Sequence, residues 1–319
     1  MRPAIPLLAV LLLPVVAQAG GLQTRNEAAL SRFAALPLTG TPALAAEGPE
    51  QWQFTTDLTS EFYAEDLGRE SVRLDGETLR LGIDVRGRWS ASVDWGLRLN
   101  LLDTGGGFLD RFIEDWHDIF SLPNGGREQF AQDQYRYQLV QDGVTVLDTD
   151  RTARGLGDLE ARVGFALRPG QVLRLMLKLP TGDDTRLTGG HLGAALWLDS
   201  ALPFADGSAW GGHYSVGGSL QQTRGALADR QQPAAGFASL GLQRHLIGPL
   251  SALGQLYAHT PLYRNVDSDI GDPGLQLSLG GRWAFNDRWQ ADLAFQEDLI
   301  VNASPDFSLH FALRYHGSR

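Results

Sequence analysis

The strongest candidate chemistry in the chain of 319 residues sits in the run "EDWHD". Glu114 and His117 stand three apart, and Glu114 and Asp118 four apart. Residues at those separations are neighbours on a helix surface, so an imidazole and two carboxylates can converge on a cation. A glutamate–histidine pair at this spacing is also the unit of carboxylate-bridged di-iron sites. Those sites need two such pairs and two further glutamates, and the chain offers one pair. The run therefore reads first as the wet, acidic face of a helix, with no metal and no other cofactor expected.

Other reactive groups are sparse. Cysteine is absent, which removes thiolate ligands, disulfides and cysteine nucleophiles. Histidines 191, 213, 259 and 310 fall on four separate segments. The serines of "HYSVGGS" (213–219) have no distinctive nucleophile context. No catalytic residue is assigned, and the chain reads as a non-enzyme, with a barrel-embedded hydrolase the least favoured alternative. A formal charge of −10 argues against a nucleic-acid partner.

The other face of the same helix is apolar. Phe108, Leu109, Phe112, Ile113, Trp116, Ile119 and Phe120 form one stripe at helical spacing, and such a stripe has to be covered. Phe108, Phe112, Ile113, Trp116, Ile119 and Phe120 are the candidate plug of whatever the helix stands over. Capping a mouth, entering a lumen and lying on a membrane leaflet are the three placements open to it.

What the helix stands over is set by its surroundings. Segments of about ten residues alternate apolar and polar side chains, as a half-buried strand does. In "RWSASVDWGLRLNLL" the residues Val93, Trp95, Leu97, Leu99 and Leu101 share one face, and Ser92, Asp94, Arg98 and Asn100 the other. Twelve such strands are expected, at 51–62, 70–86, 90–102, 157–168, 171–180, 189–199, 209–221, 234–245, 249–261, 273–285, 288–299 and 305–316. The second changes face between Val72/Leu74 and Leu79/Leu81, which predicts a β-bulge at Asp75-Gly76.

A soluble sandwich and a membrane barrel both alternate. Strand length, and a rhythm of short turns (Gly87–Trp89, Pro169-Gly170, Ile247-Gly248, Asn286-Asp287) against long loops, favour the barrel. Aromatic placement agrees: Trp52, Trp89, Trp210, Trp283, Phe285 and Trp289 all fall at the strand ends on the short-turn side, where a girdle at the membrane interface is expected. The fold class is thus all-β, an antiparallel transmembrane barrel of about twelve strands with a short helix in a long loop, 103–156. Within that loop "YRYQLVQDGVTVLD" predicts a hairpin turning at Asp142-Gly143.

The ends of the chain fix an address. Arg2, an apolar stretch from Ile5 to Val16 and Ala17-Gln18-Ala19 have the layout of a cleaved signal peptide, 1–19. Residues 20–50 do not alternate. They read as a periplasmic or luminal segment, with a short helix around Glu27–Ala34, ahead of the barrel at 51–319. The expected location is the outer membrane of a Gram-negative cell. Expected partners are its lipid and lipopolysaccharide, and the barrel-assembly machinery during biogenesis.

Five stretches carry a family resemblance: "TRNEAALSRFAALP", "LDGETLRL", "GGGFLDRFIEDWHDIFSLPNGGRE", "GLGDLEARVGF" and "LKLPTGD". Together they resemble a Gram-negative family known as domain of unknown function 3187. "LKLPTGD" is shared more widely, including with outer-membrane barrels named for meta-pathway phenol degradation. The resemblance implies an outer-membrane barrel and no particular activity.

Inward positions on the second to fifth strands are Arg80, Asp84, Arg86, Asp94, Arg98, Asp158, Glu160, Arg162, Arg174 and Lys178. Strands seven to ten offer Ser215, Ser219, Gln255 and Gln276, a neutral wall. Such an interior can be an ion-pair network that fills a narrow barrel, or a conduit whose charged wall sets solute preference. The leading expectation is a channel or passive transporter for small solutes. The alternative is a structural or adhesive surface barrel with a closed lumen.

Overall fold

The computed structural model describes residues 20–120, 126–300 and 304–317. The signal-peptide segment lies outside them, as does the side chain of Phe120. Three strands open the sheet: β1 (Gln51–Asp66), β2 (Glu70–Ser90) and β3 (Val93–Gly105). The long loop follows, holding α1 (Asp110–Phe120), β4 (Arg136–Gln141), β5 (Val144–Thr149) and β6 (Ala153–Leu156). The remaining strands are β7 (Leu159–Arg168), β8 (Gln171–Leu179), β9 (Gly193–Ala201), β10 (Trp210–Gln221), β11 (Ala234–Ile247), β12 (Leu250–His259), β13 (Gly274–Ala284), β14 (Trp289–Asp298) and β15 (Phe307–His316).

Twelve of these strands form a closed antiparallel barrel. Each long strand pairs with its neighbours in sequence, β3 passes directly to β7, and β15 closes on β1 from Gln51↔His316 to Ser60↔Phe307. Closure leaves no unpaired edge, the condition for crossing hydrocarbon with strands. Alternation then sorts the side chains by medium. On β3, Leu97, Leu99 and Leu101 are exposed outward while Asp94, Arg98 and Asn100 are buried inward.

Several local expectations need correction; the β11–β12 turn, for one, lies at Gly248-Pro249, because Ile247 still pairs with Leu250. The β1–β2 register runs unbroken from Gln51↔Arg86 to Asp66↔Ser71, so Asp75-Gly76 forms no bulge. Val72 and Leu74 are inward and buried, and Leu79 and Leu81 outward and exposed. The change of apolar face marks a change of surroundings: β2 leaves the lipid band, and the inside of the barrel becomes apolar at that height. The β2–β3 turn falls at Ala91-Ser92 and not at 87–89, because Gly87 and Arg88 still pair with Trp95 and Asp94.

The loop hairpin turns where expected. Asp142 and Gly143 both have positive φ, 51° and 74°, as a two-residue type I′ turn requires. Its strand β4 then adds to the outer end of β2, from Glu70↔Gln141 to Asp75↔Arg136. The short β6 was not foreseen. It continues the β3 ladder above β7, Leu101↔Leu156 to Thr104↔Ala153, across an interruption at Gly157-Asp158.

Asp158 faces inward at the same parity as Glu160, and it links two of the quoted motifs. Its carboxylate pairs with Lys178 at 2.9 Å. It also accepts the backbone N–H of Gly182 at 2.9 Å and of Gly190 at 2.8 Å. "GLGDLEARVGF" thus supplies the acid around which the loop after "LKLPTGD" folds. The loop carries buried Leu187, Thr188 and His191 to the barrel mouth.

Candidate functional site: a plugged lumen

The lumen holds residues 20–45. Their side chains are largely buried, yet only Leu30–Phe33 form a regular element, a single 3-10 turn. One leg rises from Gly20, beside Arg282, past Thr24 (3.0 Å to Ser278) and Asn26 (2.8 Å to His259). At the top Tyr263 donates to the Leu30 carbonyl, 2.8 Å. The other leg descends past Thr39 (2.8 Å to Ser239) and Gly40 to Ala45, whose N–H donates to Asp94, 2.8 Å. The legs are cross-linked by Gly21 N–H to the Gly40 carbonyl, 2.9 Å, and by Gln23 to the Thr39 carbonyl, 2.8 Å.

All ten charged wall residues expected from sequence face inward, and nine of them are fully buried, Arg86 being partly exposed. Several of their partners belong to the plug. Arg80 bridges Asp57 of the wall, 2.9 Å, and Glu27 of the plug. Glu160 pairs with plug residue Arg25, 2.6 Å. Lys178 donates to the carbonyl of Arg32, 2.6 Å. Arg174 donates to those of Thr41 and Ala43, both 2.9 Å, while pairing with Asp94 and Asp199. Other pairs are internal to the wall: Asp84 with Arg162, and Arg86 with Asp94. Arg98 donates to Thr55 at 3.1 Å, and its remaining guanidinium nitrogens have no partner.

The neutral wall needs amending. Ser215, Ser219, Gln255 and Gln276 are inward and buried, but the wall ends in a charged triad. Asp292 holds Arg282 at 2.8 Å and Arg314 at 2.6 Å. Arg282 and Asp292 are register partners across the β13–β14 turn. The expected two-residue turn at Asn286-Asp287 would set Arg282 opposite Ala291; the turn instead spans 286–288, with the Phe285 N–H donating to the Trp289 carbonyl, and this brings Arg282 to Asp292. The plug partners Arg25 and Glu27 had no sequence signal, because 20–50 carries no periodicity.

The two ends of the lumen differ. At the loop end the plug tip (Leu30, Phe33, Ala35, Leu36) joins Val72 and Leu74, Tyr137 and Leu139, Leu187, Leu227, Tyr257 and Tyr263 in one apolar cluster. Each buried side chain of Leu or Phe size adds about 1.5–3 kcal/mol. At the short-turn end a cavity of about 310 Å³ separates plug from wall, lined by Gly20, Gly40, Arg86, Arg282, Arg314 and His316 among others.

Plug packing is tightest around His213. A Cβ on Gly21 would lie 2.3 Å from the ring, and one on Gly40 2.6 Å from Nε2. Gly40 also has φ of +81°, which disfavours any side chain. Gly40→Val is expected to lift the descending leg off the wall. A loss of about 1.4 kcal/mol in plug seating corresponds to a tenfold rise in the unseated fraction, measurable as faster protease cleavage between residues 20 and 50 in the folded barrel.

The helical stripe is not in the lumen, so it is not the plug. Leu109 and Ile113 pack with Phe307, against Leu58 and Phe295. The alternation of β1, β14 and β15 places these three residues on the outer wall. Trp116 meets Phe295 edge-on and Phe307 at a tilt, with ring centroids 5.8 and 6.4 Å apart. The wall is apolar outside at this height, so it covers the stripe, while the lumen is already filled by 20–45. Phe108, Phe112 and Ile119 remain exposed. His117, expected on the wet side, is buried. Among the described residues no three metal-ligating side chains converge. The girdle residues Trp52, Trp89, Trp210 and Trp283 are exposed on the outer surface at the short-turn end, and Trp289 stands beside Tyr315, 4.8 Å between centroids.

Fold and lumen together define a class: a twelve-stranded β-barrel of outer-membrane type with an inserted N-terminal plug. The chain belongs to the family described as protein of unknown function DUF3187, whose sequence model matches residues 10–316. No curated protein matches it. Among solved structures it is similar to the COG4313 outer membrane channel from Pseudomonas putida F1, with 14% identity, TM-score 0.54, and 89% of this chain and 97% of that one covered. It is also similar to the P. putida toluene transporter TodX (11%, TM-score 0.42, coverage 93% and 98%). A third is the translocator domain of the autotransporter NalP from Neisseria meningitidis (11%, TM-score 0.45, coverage 86% and 91%). These likenesses concern the fold.

Proposed function

We propose that the protein is a passive outer-membrane channel for small hydrophilic solutes, closed here by residues 20–45 and opened when that plug shifts. The observation that carries this reading is the chemistry of the plug–wall seam. Below the apolar tip, the wall's Arg80, Arg174, Lys178 and Arg282 are occupied by plug carbonyls and a plug carboxylate. A polar solute with acceptor oxygens can replace those partners one at a time, which a sealed apolar core would not permit. Export with cleavage near Gly20 belongs to the same reading, because it frees the lower end of the rising leg at the periplasmic cavity. So does assembly by the outer-membrane barrel machinery. Single-channel recording in planar bilayers tests the proposal: the full chain should show infrequent openings that become more frequent in Gly40→Val.

The competing reading, a permanently closed surface barrel, draws on the apolar cluster at the loop end. Proton linkage separates the two. His191, on the loop before β9, stacks on Phe33 of the plug tip with centroids 4.5 Å apart. Burial pulls its pKa below the ordinary histidine value. The neutral ring's contribution is therefore complete above that ordinary value and is lost as the pH falls through it, because the unseated ring takes up a proton more readily. Opening frequency should rise between pH values of about 7.5 and 5.5, which bracket the ordinary histidine range, and His191→Gln should flatten the dependence. A barrel silent at both pH values favours the closed reading.

A further inference from the structure

We propose that α1 is an interfacial helix that inserts Phe108, Phe112 and Ile119 among the acyl chains of the outer leaflet, across the seam where the barrel closes. The inference rests on the membrane placement of the barrel and is independent of conduction. Three observations carry it.

The first is where the helix sits. It lies on the outer surface over Leu58 of β1, Phe295 of β14 and Phe307 of β15, bridging the β15–β1 junction. Its start is fixed there: Glu77, an outward residue of β2, accepts the N–H of Phe108 at 3.0 Å and of Leu109 at 2.5 Å. The Trp116 indole hydrogen bonds to Glu297 of β14.

The second is how the helix is rotated. Asp110 and Glu114 occupy one flank and meet the returning loop, Asp110 through Arg127 and the Asp133 N–H, Glu114 through Gln132 at 3.0 Å. That loop reaches higher on the wall than the helix does. Arg127 hydrogen bonds Ser60, and Phe130 packs on Phe62 at 5.4 Å, both beyond Leu58 along the rising β1. At 3.6 residues per turn, Phe112 and Ile119 fall on the flank away from the loop, and Phe108 stands exposed just ahead of the first turn. That flank points down the wall, toward the membrane.

The third is continuity. Phe108, Phe112 and Ile119 are 70%, 48% and 73% exposed, a large apolar area left open beside the covered Leu109, Ile113 and Trp116. Down the same three strands and β2, the exposed outward residues are Phe54, Leu81, Leu293, Leu309 and Phe311. The flank therefore extends the surface that the lipid covers. Arg111 and Asp118 are exposed on the side facing away from wall and lipid, and Asp115 stands exposed between that side and the apolar flank, where headgroups and water take them. Amphipathic helices with this division lie in the interfacial plane.

The absence of native cysteine makes the test clean. Single variants Phe112→Cys, Ile119→Cys and Asp118→Cys of the full chain would carry a nitroxide label in phosphatidylcholine–phosphatidylglycerol vesicles. Folding is checked by heat-modifiable gel mobility, with Phe108→Cys replacing Phe112→Cys should the latter fail to fold. The expected result is that labels at 112 and 119 collide with oxygen and are shielded from a water-soluble nickel chelate, while the label at 118 shows the reverse order. Equal nickel accessibility at 112, 119 and 118 would overturn the proposal. So would spin–spin broadening at 112 that vanishes on dilution with unlabelled protein, because a second copy would then cover the flank.

Discussion

A chain lacking residues 20–46 is expected to conduct steadily where the full chain opens only in brief, infrequent events. Residues 51–316 close the barrel through hydrogen bonds of their own, including β1 to β15, and no strand is lost with the plug. Removing the plug takes Arg25, Glu27 and the plug carbonyls from the wall. It leaves Arg80 with Asp57, Lys178 with Asp158, and Arg174 with Asp94 and Asp199. The wall keeps most of its pairing, so the lumen should stay polar and fill with water. At the loop end Val72, Tyr137, Leu139 and Tyr257 lose the plug tip they pack against. Some inward settling of the loop carrying Leu187 should follow, seen as flicker on a mostly open level. Planar-bilayer recording checks this directly. A deleted chain that folds, by its heat-modifiable mobility, and remains silent would leave the closed-barrel reading standing.

Arg80→Ala is expected to be the most damaging single change. The guanidinium joins a wall acid, Asp57, to a plug acid, Glu27, at a position without solvent. Breaking a buried pair by deleting one partner costs about 3–5 kcal/mol, because the other charge stays behind. Asp57 keeps His310 and Glu27 keeps Arg25, which places the cost toward the lower end. Two readouts should move together. The denaturation midpoint in detergent should fall, and opening frequency in bilayers should rise as the plug loses its central anchor. Arg80→Lys should recover much of the stability and less of the closure, since an ammonium reaches two acids at once poorly. A drop in stability without any rise in opening would separate the network from the gate.

The barrel was legible because each strand writes its own membership. Alternation is local, and the sorting of Leu97, Leu99 and Leu101 from Asp94, Arg98 and Asn100 needs no knowledge of neighbours. Inward residues followed from the same parity, so all ten charged wall positions could be named. Their partners could not. Arg25 and Glu27 meet Glu160 and Arg80 across more than fifty residues of chain, from a segment with no repeat. The stripe of α1 was legible as a stripe, yet a luminal and an external wall ask for the same apolar spacing. Sequence supplied the face and left the side of the sheet open. Val72 and Leu74 misled for a related reason: they are apolar because plug and hairpin cover them, and periodicity alone reads an inward apolar pair as a slipped register.

The account depends on the plug moving against a fixed wall, and a reversible tether addresses that most directly. Thr39 of the plug and Ser239 of β11 face each other with their hydroxyl oxygens 2.8 Å apart, and the chain has no other thiol to compete. In a Thr39→Cys, Ser239→Cys chain the oxidised pair should abolish the openings of the full-length protein, and reduction in the same bilayer should restore them. Openings of equal frequency with the disulfide formed and reduced would contradict the account.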